Sequence, residues 1–272
     1  KKITHEEIIN ILAKDPRKYG AKINNIRNIG NPSLALKEVQ AYYTEEGAMI
    51  IYQKMIHGGV SFYIENLTES DYIDLKELVT IELDNTKYCA IESACKAAIT
   101  NKAFTDLFGN KQPVYSCQYG LFRSPNNIKS PSEYTIRLLN VDDRVYISNI
   151  QEDARRYGIS LEYIFDNYIS KNSHNDLVYG CFANNKLIAY LHINTFDKKY
   201  WDIGFVFTNK AHRGKGIATE LVWHYAKDIW ERGEFASYGT AINESSKHVA
   251  EKVGFERFNE TYYAVLKEDF FH

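Results

Sequence analysis

The sequence predicts an α/β (α+β) fold divided between two domains. Its 272 residues are enough for two ordinary domains, and 44% hydrophobic with 25% charged residues is a globular balance. Short apolar runs of strand length alternate with segments of helical period along both halves. The polar stretch 124–132 holds two of the five prolines. We therefore predict a linker there, with an N-terminal α+β domain at 1–125 and a second domain at 133–272.

The first half is expected to open with helices. Thr4 and Glu7 form a capping-box pattern, Pro16 opens a second helix, and Ser33 can cap a third that runs through Ala41. The rest of this half alternates between the two element types: strands at 48–56, 60–65, 88–91 and 113–122, helices at 72–79 and 94–108. His57–Gly59 predicts the turn between the first two strands.

The second half has more strands. Expected strands lie at 134–138, 177–182, 187–194, 201–208, 235–240, 255–258 and 261–266, and helical stretches at 142–150, 161–171, 218–230 and 244–253. Ala183–Lys186 predicts a hairpin. Gly254 followed by Phe255 predicts a Schellman helix end. Asn259-Glu260 is expected to be the turn between the last two strands.

A strand, a glycine-containing turn and a helix meet at residues 208–219. Gly214 and Gly216 allow the backbone to approach an anion closely, and the helix start adds exposed N–H groups and a positive dipole end. Arg213 and Lys215 add positive charge. We predict an anion site; the alternative is an ordinary tight turn. A P-loop is excluded because Lys215 is followed by Gly216 rather than Ser or Thr, and the three-glycine dinucleotide pattern is missing.

Two patterns in this half resemble the GNAT superfamily of acyl-CoA-dependent N-acyltransferases. Arg213-x-x-Gly216-x-Ala218 is similar to the family's phosphate loop, and the helix that Asn243 leads resembles its next motif, which ends in Gly-Phe. The strand and helix order over 134–266 agrees. The resemblance covers about half the chain and implies a GNAT fold, with a mixed, mostly antiparallel central sheet flanked by helices.

The resemblance also implies a binding track for acetyl-CoA as co-substrate. Backbone N–H groups of the loop would hold the pyrophosphate, and strand main-chain groups would pair with the pantetheine arm. The N–H of Val206 would polarise the thioester carbonyl. The cofactor-binding residues implied are Val206, Phe207, Thr208, Arg213, Gly214, Lys215, Gly216, Ile217, Ala218, Thr219, Asn243 and Ser246.

The implied reaction is direct attack of a neutral amine on the thioester, so a base must first remove a proton. The resemblance suggests Asp202, four residues before the thioester contact; the alternative is an ion pair with Lys198 or Lys199. His192 is a second candidate base, and its alternative is a satisfied core histidine.

The family's usual proton donors are missing from this sequence. The tyrosine position on the Asn-led helix is Ala250, and the carboxylate position on the preceding strand is Tyr238. Tyr262, Tyr263 and Ser246 are the substitutes considered, against roles in packing or capping. We expect an N-acetyltransferase acting on a primary amine of a small molecule or peptide. The alternative is a CoA-binding regulatory or scaffolding protein on a GNAT fold without turnover.

The order of elements over 48–122 echoes the second half, but its loop at 66–71 is acidic and would repel a pyrophosphate. We expect a degenerate GNAT-like domain that packs on the active half and shapes the acceptor pocket; an unrelated α+β module is the alternative.

The net charge and the cysteine pattern indicate which partners and which cellular location to expect. A formal net charge of −2 gives no electrostatic case for nucleic acid or an anionic membrane. The four cysteines form no C-x-x-C pair and no metal-ligand cluster, so we expect buried thiols in a reducing cytosol and no metal. The charged start at 1–7 and the lack of a long apolar run also favour a cytoplasmic protein without a membrane partner. The sequence is compatible with a homodimer.

Overall fold

The structure is a computed structural model that describes residues 2–27, 29, 36–45, 47–55, 59–66, 68, 88–93, 114–128, 133–150, 161–171, 176–195 and 199–265. The chain divides into two compact units. The first comprises Lys1–Cys117 together with Asn259–His272, and the second comprises Gln118–Phe258. These bounds differ from the expected domains at 1–125 and 133–272, because the second unit begins earlier and the last segment belongs to the first unit.

The expected linker is anchored to the second unit over its described part. The backbone N–H of Asn126 donates to the Val253 carbonyl at 2.8 Å, and the indole N–H of Trp223 donates to the Asn126 carbonyl at 2.8 Å. The polar, proline-containing composition of this stretch predicted a linker without contacts to either domain. Asn126 instead forms hydrogen bonds with two helices that lie about 100 residues or more later in the chain. Residues 129–132 lie outside the described part.

The first unit contains β1 (Lys2–Ile3), α1 (His5–Leu12), α2 (Pro16–Arg27), β2 (Leu36–Tyr43), β3 (Met49–Met55), β4 (Gly59–Glu65) and β5 (Tyr88–Ser93). The capping box at Thr4 and Glu7 is confirmed. Strands β1 to β4 pair antiparallel in sequence order, whereas β4 and β5 pair in parallel. Helices α1 and α2 pack on this sheet through a core that includes Ile8, Leu12, Val39 and Ile51.

The helix predicted from Ser33 to Ala41 is wrong, because residues 36–43 form strand β2. Val39 and Ala41 alternate with less buried neighbours and pair with β3 across the sheet. Burial of every second side chain in the sheet therefore outweighs the helix-capping preference of Ser33. The helices predicted at 72–79 and 94–108 lie outside the described residues.

The second unit carries the predicted mixed, mostly antiparallel sheet. Its elements are β6 (Val114–Gly120, entered from the first unit), β7 (Thr135–Leu138), a 3₁₀ helix (Val141–Asn149), α3 (Leu161–Ile164) with a π-helical turn (Phe165–Ile169), β8 (Asp176–Ala183), β9 (Lys186–Thr195), β10 (Tyr200–Thr208), a 3₁₀ turn (Lys210–His212), α4 (Ile217–Glu231), β11 (Phe235–Ala241), α5 (Glu244–Val253) and the start of β12 (Glu256–Val265), which continues into the first unit from Asn259. The sheet order is β6-β11-β10-β9-β8-β7.

Three local predictions in this unit can be compared with the structure. The hairpin is confirmed, because Asn184 and Asn185 have φ of 48° and 58°, as a type I′ turn requires. The helix end is confirmed, since Gly254 has φ of 107° and the Phe255 N–H donates to the Ala250 carbonyl. The turn at Asn259-Glu260 is wrong: β12 is unbroken, and its residues 262–265 pair with β5.

The two faces of the second unit's sheet are covered by different helices. On one face Val178, Tyr190 and Phe207 pack with the 3₁₀ helix and α3. On the other face α4 buries Tyr225, whose hydroxyl donates to the Trp201 carbonyl at 2.7 Å. This arrangement fixes β10 between β9 and β11, with α4 leaving directly from its carboxyl end.

Candidate active site

The parallel strands β10 and β11 separate after three residue pairs. Tyr200, Trp201 and Asp202 lie opposite Phe235, Ala236 and Ser237, and within the described residues no further pairing joins the two strands. On its other side β10 stays paired with β9 as far as Thr208. Among the described strands, β11 is therefore paired with β10 only up to Asp202, and the two strands lie apart where β10 continues towards Thr208.

A glycine cradle follows the carboxyl end of β10. Gly214 and Gly216 have φ of 77° and 82°, and among the described residues, apart from the chain neighbours, no atom lies within 4 Å of a Cβ built on either. Gly216 is the N-cap of α4, and no described side chain caps that helix. Ile217 and Thr219 are buried, so the core holds the first turn in place while its N–H groups have no acceptor within the helix. This geometry suits an anion.

Charged and orphaned polar groups surround the cradle. Arg213 and Lys215 are exposed, and Nε of Arg213 donates to the Thr208 carbonyl at 3.0 Å. Within the described part of the chain, Thr208 Oγ1 and His212 Nδ1 are buried and have no hydrogen-bond partner. An open cradle beside positive charge and two unsatisfied polar atoms fits a ligand that has an anionic head and hydrogen-bonding groups.

The start of α5 lies at the same edge of the sheet, because α4 and α5 each follow one of two adjacent parallel strands. Asn243 caps α5: its Oδ1 accepts from the Ser246 N–H at 2.8 Å, and its carbonyl accepts from Ser246 Oγ at 2.8 Å. The cap therefore uses Oδ1 of Asn243 and the Ser246 hydroxyl. Of the Asn243 side chain, the amide NH₂ is left as the donor for a ligand.

Asp202 lies at the point where the two strands separate. Its Oδ1 accepts from Ser237 Oγ and from the Gly239 N–H, each at 2.7 Å. Burial raises the pKa of this carboxyl to about 6, although both hydrogen bonds act to lower it. A Cβ at Gly239 would collide with the carboxylate. Asp202 thus has two partners on β11 and a backbone hydrogen bond from Ile203, whereas Lys199 is exposed and Lys198 lies outside the described residues.

His192 is buried on the sheet face that carries Tyr190, in a row of polar side chains that also contains Asp176, Asn194 and Asp202. Its Nε2 lies 3.0 Å from Asp176 Oδ1, and its ring stacks on Tyr168 with centroids 5.3 Å apart. The strand register places Asn194 opposite both Asp176 and Asp202, so these side chains share one face. His192 therefore matches the alternative expected for it, a buried histidine whose Nε2 has a hydrogen-bond partner.

A β-bulge re-aims β10 beside this row. The register shifts between Ile203 and Phe205, and the residue between them is the exposed Gly204. Sequence reasoning missed Gly204, Asn194 and Gly239. A glycine inside a strand is a known signal for a bulge or for close approach of another group, and Gly204 carried that signal.

Residues 142–255 match the family model described as the Acetyltransferase (GNAT) family. This segment is a GNAT acetyltransferase domain. The chain is also similar to solved structures of low sequence identity. One is a GCN5-related N-acetyltransferase from Sphaerobacter thermophilus, with TM-score 0.61, 12% identity, and 85% of this chain and 82% of that chain covered.

Two further structures extend the similarity to nearly the whole chain. A GNAT-family acetyltransferase from Colwellia psychrerythraea has TM-score 0.56 and 14% identity over 98% of this chain and 99% of its own. A tandem GNAT protein from the clavulanic acid biosynthesis pathway has TM-score 0.55 and 13% identity over 90% and 86%. At these identities the similarity shows the fold alone. A search of curated protein sequences finds no match.

In the GNAT domain the two expected proton-donor positions lack the tyrosine and the carboxylate that the family usually has there. Ala250 is fully buried within α5. Burial raises the pKa of Tyr238 to about 12, so this phenol holds its proton more tightly than a thiol does. The side chains of Tyr262 and Tyr263 lie outside the described residues.

Metal ligands and membrane-spanning helices were both expected to be missing. Among the described residues no group of three or more His, Cys, Asp or Glu side chains is placed to hold a metal ion. None of the described helices is long and apolar enough to cross a membrane.

Proposed function

We propose that the GNAT domain transfers an acetyl group from acetyl-CoA to a primary amine of a small molecule or peptide by direct attack. Membership of residues 142–255 in the family supports acyl transfer. The observation that carries the proposal is the separation of β10 from β11 after Asp202, followed by the open glycine cradle at the end of β10. An extended acyl carrier with an anionic head needs both features side by side.

The residues present fit the co-substrate. In the proposal the N–H groups from Gly214 to Thr219 hold the pyrophosphate, and Arg213 and Lys215 add positive charge. Main-chain groups of Val206, Phe207 and Thr208 pair with the pantetheine amides, and the NH₂ of Asn243 donates to the same arm. Phe207 contributes only its backbone, because its buried ring stacks on Tyr190 with centroids 5.6 Å apart.

Asp202 is the proposed proton acceptor. Acetyl-CoA, when bound, supplies the thioester carbonyl carbon that the amine attacks. A carboxyl whose pKa is about 6 is still largely ionised at neutral pH, yet it is a stronger base than an ordinary aspartate. Its Oδ1 is engaged by Ser237 and Gly239, so Oδ2 takes the proton, directly or through a water. The N–H of Val206 stabilises the negative charge that develops on the carbonyl oxygen.

Thiol release from acetyl-CoA in the presence of a panel of primary amines tests the proposal. We expect turnover with at least one amine and CoA binding measurable by calorimetry. If CoA does not bind at all, the cofactor assignment is wrong.

A second candidate function is CoA binding for regulation or scaffolding without turnover. The observation that favours it is Ala250, whose burial leaves no proton donor at the family's usual position. The two functions separate in one assay: this second candidate predicts tight CoA binding with no thiol release across the amine panel.

We further propose that the first unit is a degenerate GNAT-like half. It has the same sequence of pairings, an antiparallel meander followed by one parallel pair, as the GNAT domain. Its parallel pair stays joined over six residue pairs, from Gly59 and Tyr88 to Ile64 and Ser93. Over the described residues this pair does not separate and offers no free strand edge, which agrees with the acidic loop at 66–71 and with loss of cofactor binding.

A further inference from the structure

The Ser237 hydroxyl lies between two acceptors at the last residue pair that joins β10 and β11. Its Oγ is 2.7 Å from Oδ1 of Asp202 and 3.1 Å from the Trp201 carbonyl oxygen, and Ser237 is 9% exposed. A hydroxyl has one hydrogen to donate. The shorter distance and the negative charge of the carboxylate both favour Asp202, because charge-assisted hydrogen bonds are shorter and stronger than neutral ones.

The hydroxyl of Tyr225 gives the Trp201 carbonyl another donor. This fully buried side chain of α4 donates to the Trp201 carbonyl at 2.7 Å rather than to the more distant Ser237 carbonyl at 3.1 Å, and its oxygen accepts from the Ser237 N–H. Burial and the charge of Asp202 raise the pKa of Tyr225 well above its ordinary value, so this phenol keeps its hydrogen wherever Asp202 titrates. The Ser237 hydrogen is therefore left for Asp202.

The other contacts of Asp202 are hydrogen bonds and not ion pairs. Oδ1 also accepts from the Gly239 N–H at 2.7 Å, and a Cβ on Gly239 would be 2.4 Å from Oδ2, so the carboxylate lies directly against the β11 backbone. Within the described residues, hydrogen bonds rather than a positive charge oppose the effect of burial on the pKa of this carboxyl. The titratable side chains around it, or in the same polar row, are Tyr225 on α4, Tyr238 on β11, Asp176 on β8 and His192 on β9.

We propose that Ser237 and Tyr225 are positioning residues for the proposed base, Asp202. Ser237 stabilises the ionised carboxylate and holds its Oδ1, so that Oδ2 is the oxygen that receives the proton of the amine. Tyr225 acts through Ser237, since it keeps the serine hydrogen on the carboxylate. The inference rests on the proposed acetyl transfer, and it adds two residues that act through Asp202 rather than on the substrate.

The direct test is the titration of Asp202 in the full-length protein without CoA. With aspartate that carries ¹³C at the carboxyl carbon, NMR follows the Asp202 signal, which is identified by its loss in Asp202→Asn. Ser237→Ala removes a donor to the ionised form, so the titration midpoint should rise by roughly one pH unit. Ser237→Thr keeps the hydroxyl and should titrate as the unsubstituted protein does.

Tyr225→Phe tests the second residue with little change in side-chain shape. The Ser237 hydrogen is then shared between the Trp201 carbonyl and the carboxylate, so the Asp202 midpoint should rise in the same direction by a smaller amount. The matched control is Tyr179→Phe, because this second buried tyrosine donates to Asp228 on α4 instead. The control should lower the melting temperature without moving the Asp202 titration.

Acetyl transfer gives a second readout. If the Asp202 midpoint moves from about 6 to about 7, kcat/KM of Ser237→Ala should fall roughly tenfold at pH 5 and less than twofold at pH 8, relative to the unsubstituted protein with the same amine. A general loss of packing would instead lower the rate by a similar factor at each pH. The pH profile therefore separates positioning of the base from a purely structural role.

An Asp202 midpoint that is unchanged in Ser237→Ala would overturn the proposal, and a midpoint that moves in Ser237→Ala but not in Tyr225→Phe would overturn the role of Tyr225. Thermal melts verify that each variant is folded; if Ser237→Ala does not fold, Ser237→Cys, whose S–H is a weak donor, replaces it. Failure of acetyl transfer has a different signature: no thiol is released with any amine, while the NMR titration still supports or refutes the effect of both residues on Asp202.

Discussion

Replacing Gly216 by Asp tests the anion cradle directly. Gly216 is exposed, has φ of 82°, and has open space where a side chain would be built. A carboxylate there would lie roughly 5 Å from a bound phosphate, where two like charges repel by about 1 kcal/mol in water and about 3 kcal/mol at an effective dielectric constant of about 20. Exposure favours the lower part of that range. We expect a loss of about 1–2 kcal/mol, which is a roughly 5- to 30-fold rise in the Kd for CoA.

Two control variants separate charge from strain. Gly216→Asn has the same shape and the same left-handed backbone cost without the charge. Gly233→Asp introduces the same residue at the other end of α4, where φ is 70° and space is also open. Calorimetry with CoA at two salt concentrations, together with thermal melts, completes the comparison. The helix dipole should stabilise Asp at 216, so its melting temperature should not fall below that of Asn at 216. A Kd for Gly216→Asp within twofold of that for Gly216→Asn would refute the assignment of the cradle to phosphate.

Three further outcomes follow from the site and the first unit. Asp202→Asn keeps an acceptor for Ser237 and Gly239, so it should lower kcat roughly 100-fold or more while the Kd for CoA is unchanged; an unchanged rate removes Asp202 as the base. Because burial raises the pKa of Asp202 to about 6, its contribution to stability is present below pH about 4 and is lost as pH rises through 6. The melting temperature of the unsubstituted protein should therefore fall relative to Asp202→Asn over that window, and parallel curves would contradict the raised pKa. Calorimetry of the whole chain should give one CoA per chain, since the parallel pair β4–β5 does not separate; two sites would refute the degenerate first half.

Local sequence signals predicted the elements that position the site. The features that these signals failed to predict depend on pairing between distant parts of the chain. The glycines at 214 and 216, the Asn243 cap and the Gly254 helix end each act within a few residues, so the sequence contains their cause. Two partners of Asp202, Ser237 and Gly239, come from β11, 35 and 37 residues later, and no spacing rule predicts them. The same reason explains β2, where pairing with β3 overrides the capping signal at Ser33.

The two units differ in the length of their parallel strand pair. In the GNAT domain β10 is released from β11 after Asp202, at the position where Ser237 and Gly239 bind its carboxylate. The carboxylate placed there accepts from two donors of β11, the Ser237 hydroxyl and the Gly239 N–H, and the β-bulge at Gly204 then turns β10. In the first unit β4 and β5 have no register shift over their six pairs.

Separation of the strands in the GNAT domain therefore depends on particular side chains, and Asp202 has a structural role in the binding site whether or not it also accepts the proton. This is why the kcat and the CoA affinity of Asp202→Asn must be measured together: a loss of both would assign the residue to opening the strands, and a loss of kcat alone to catalysis.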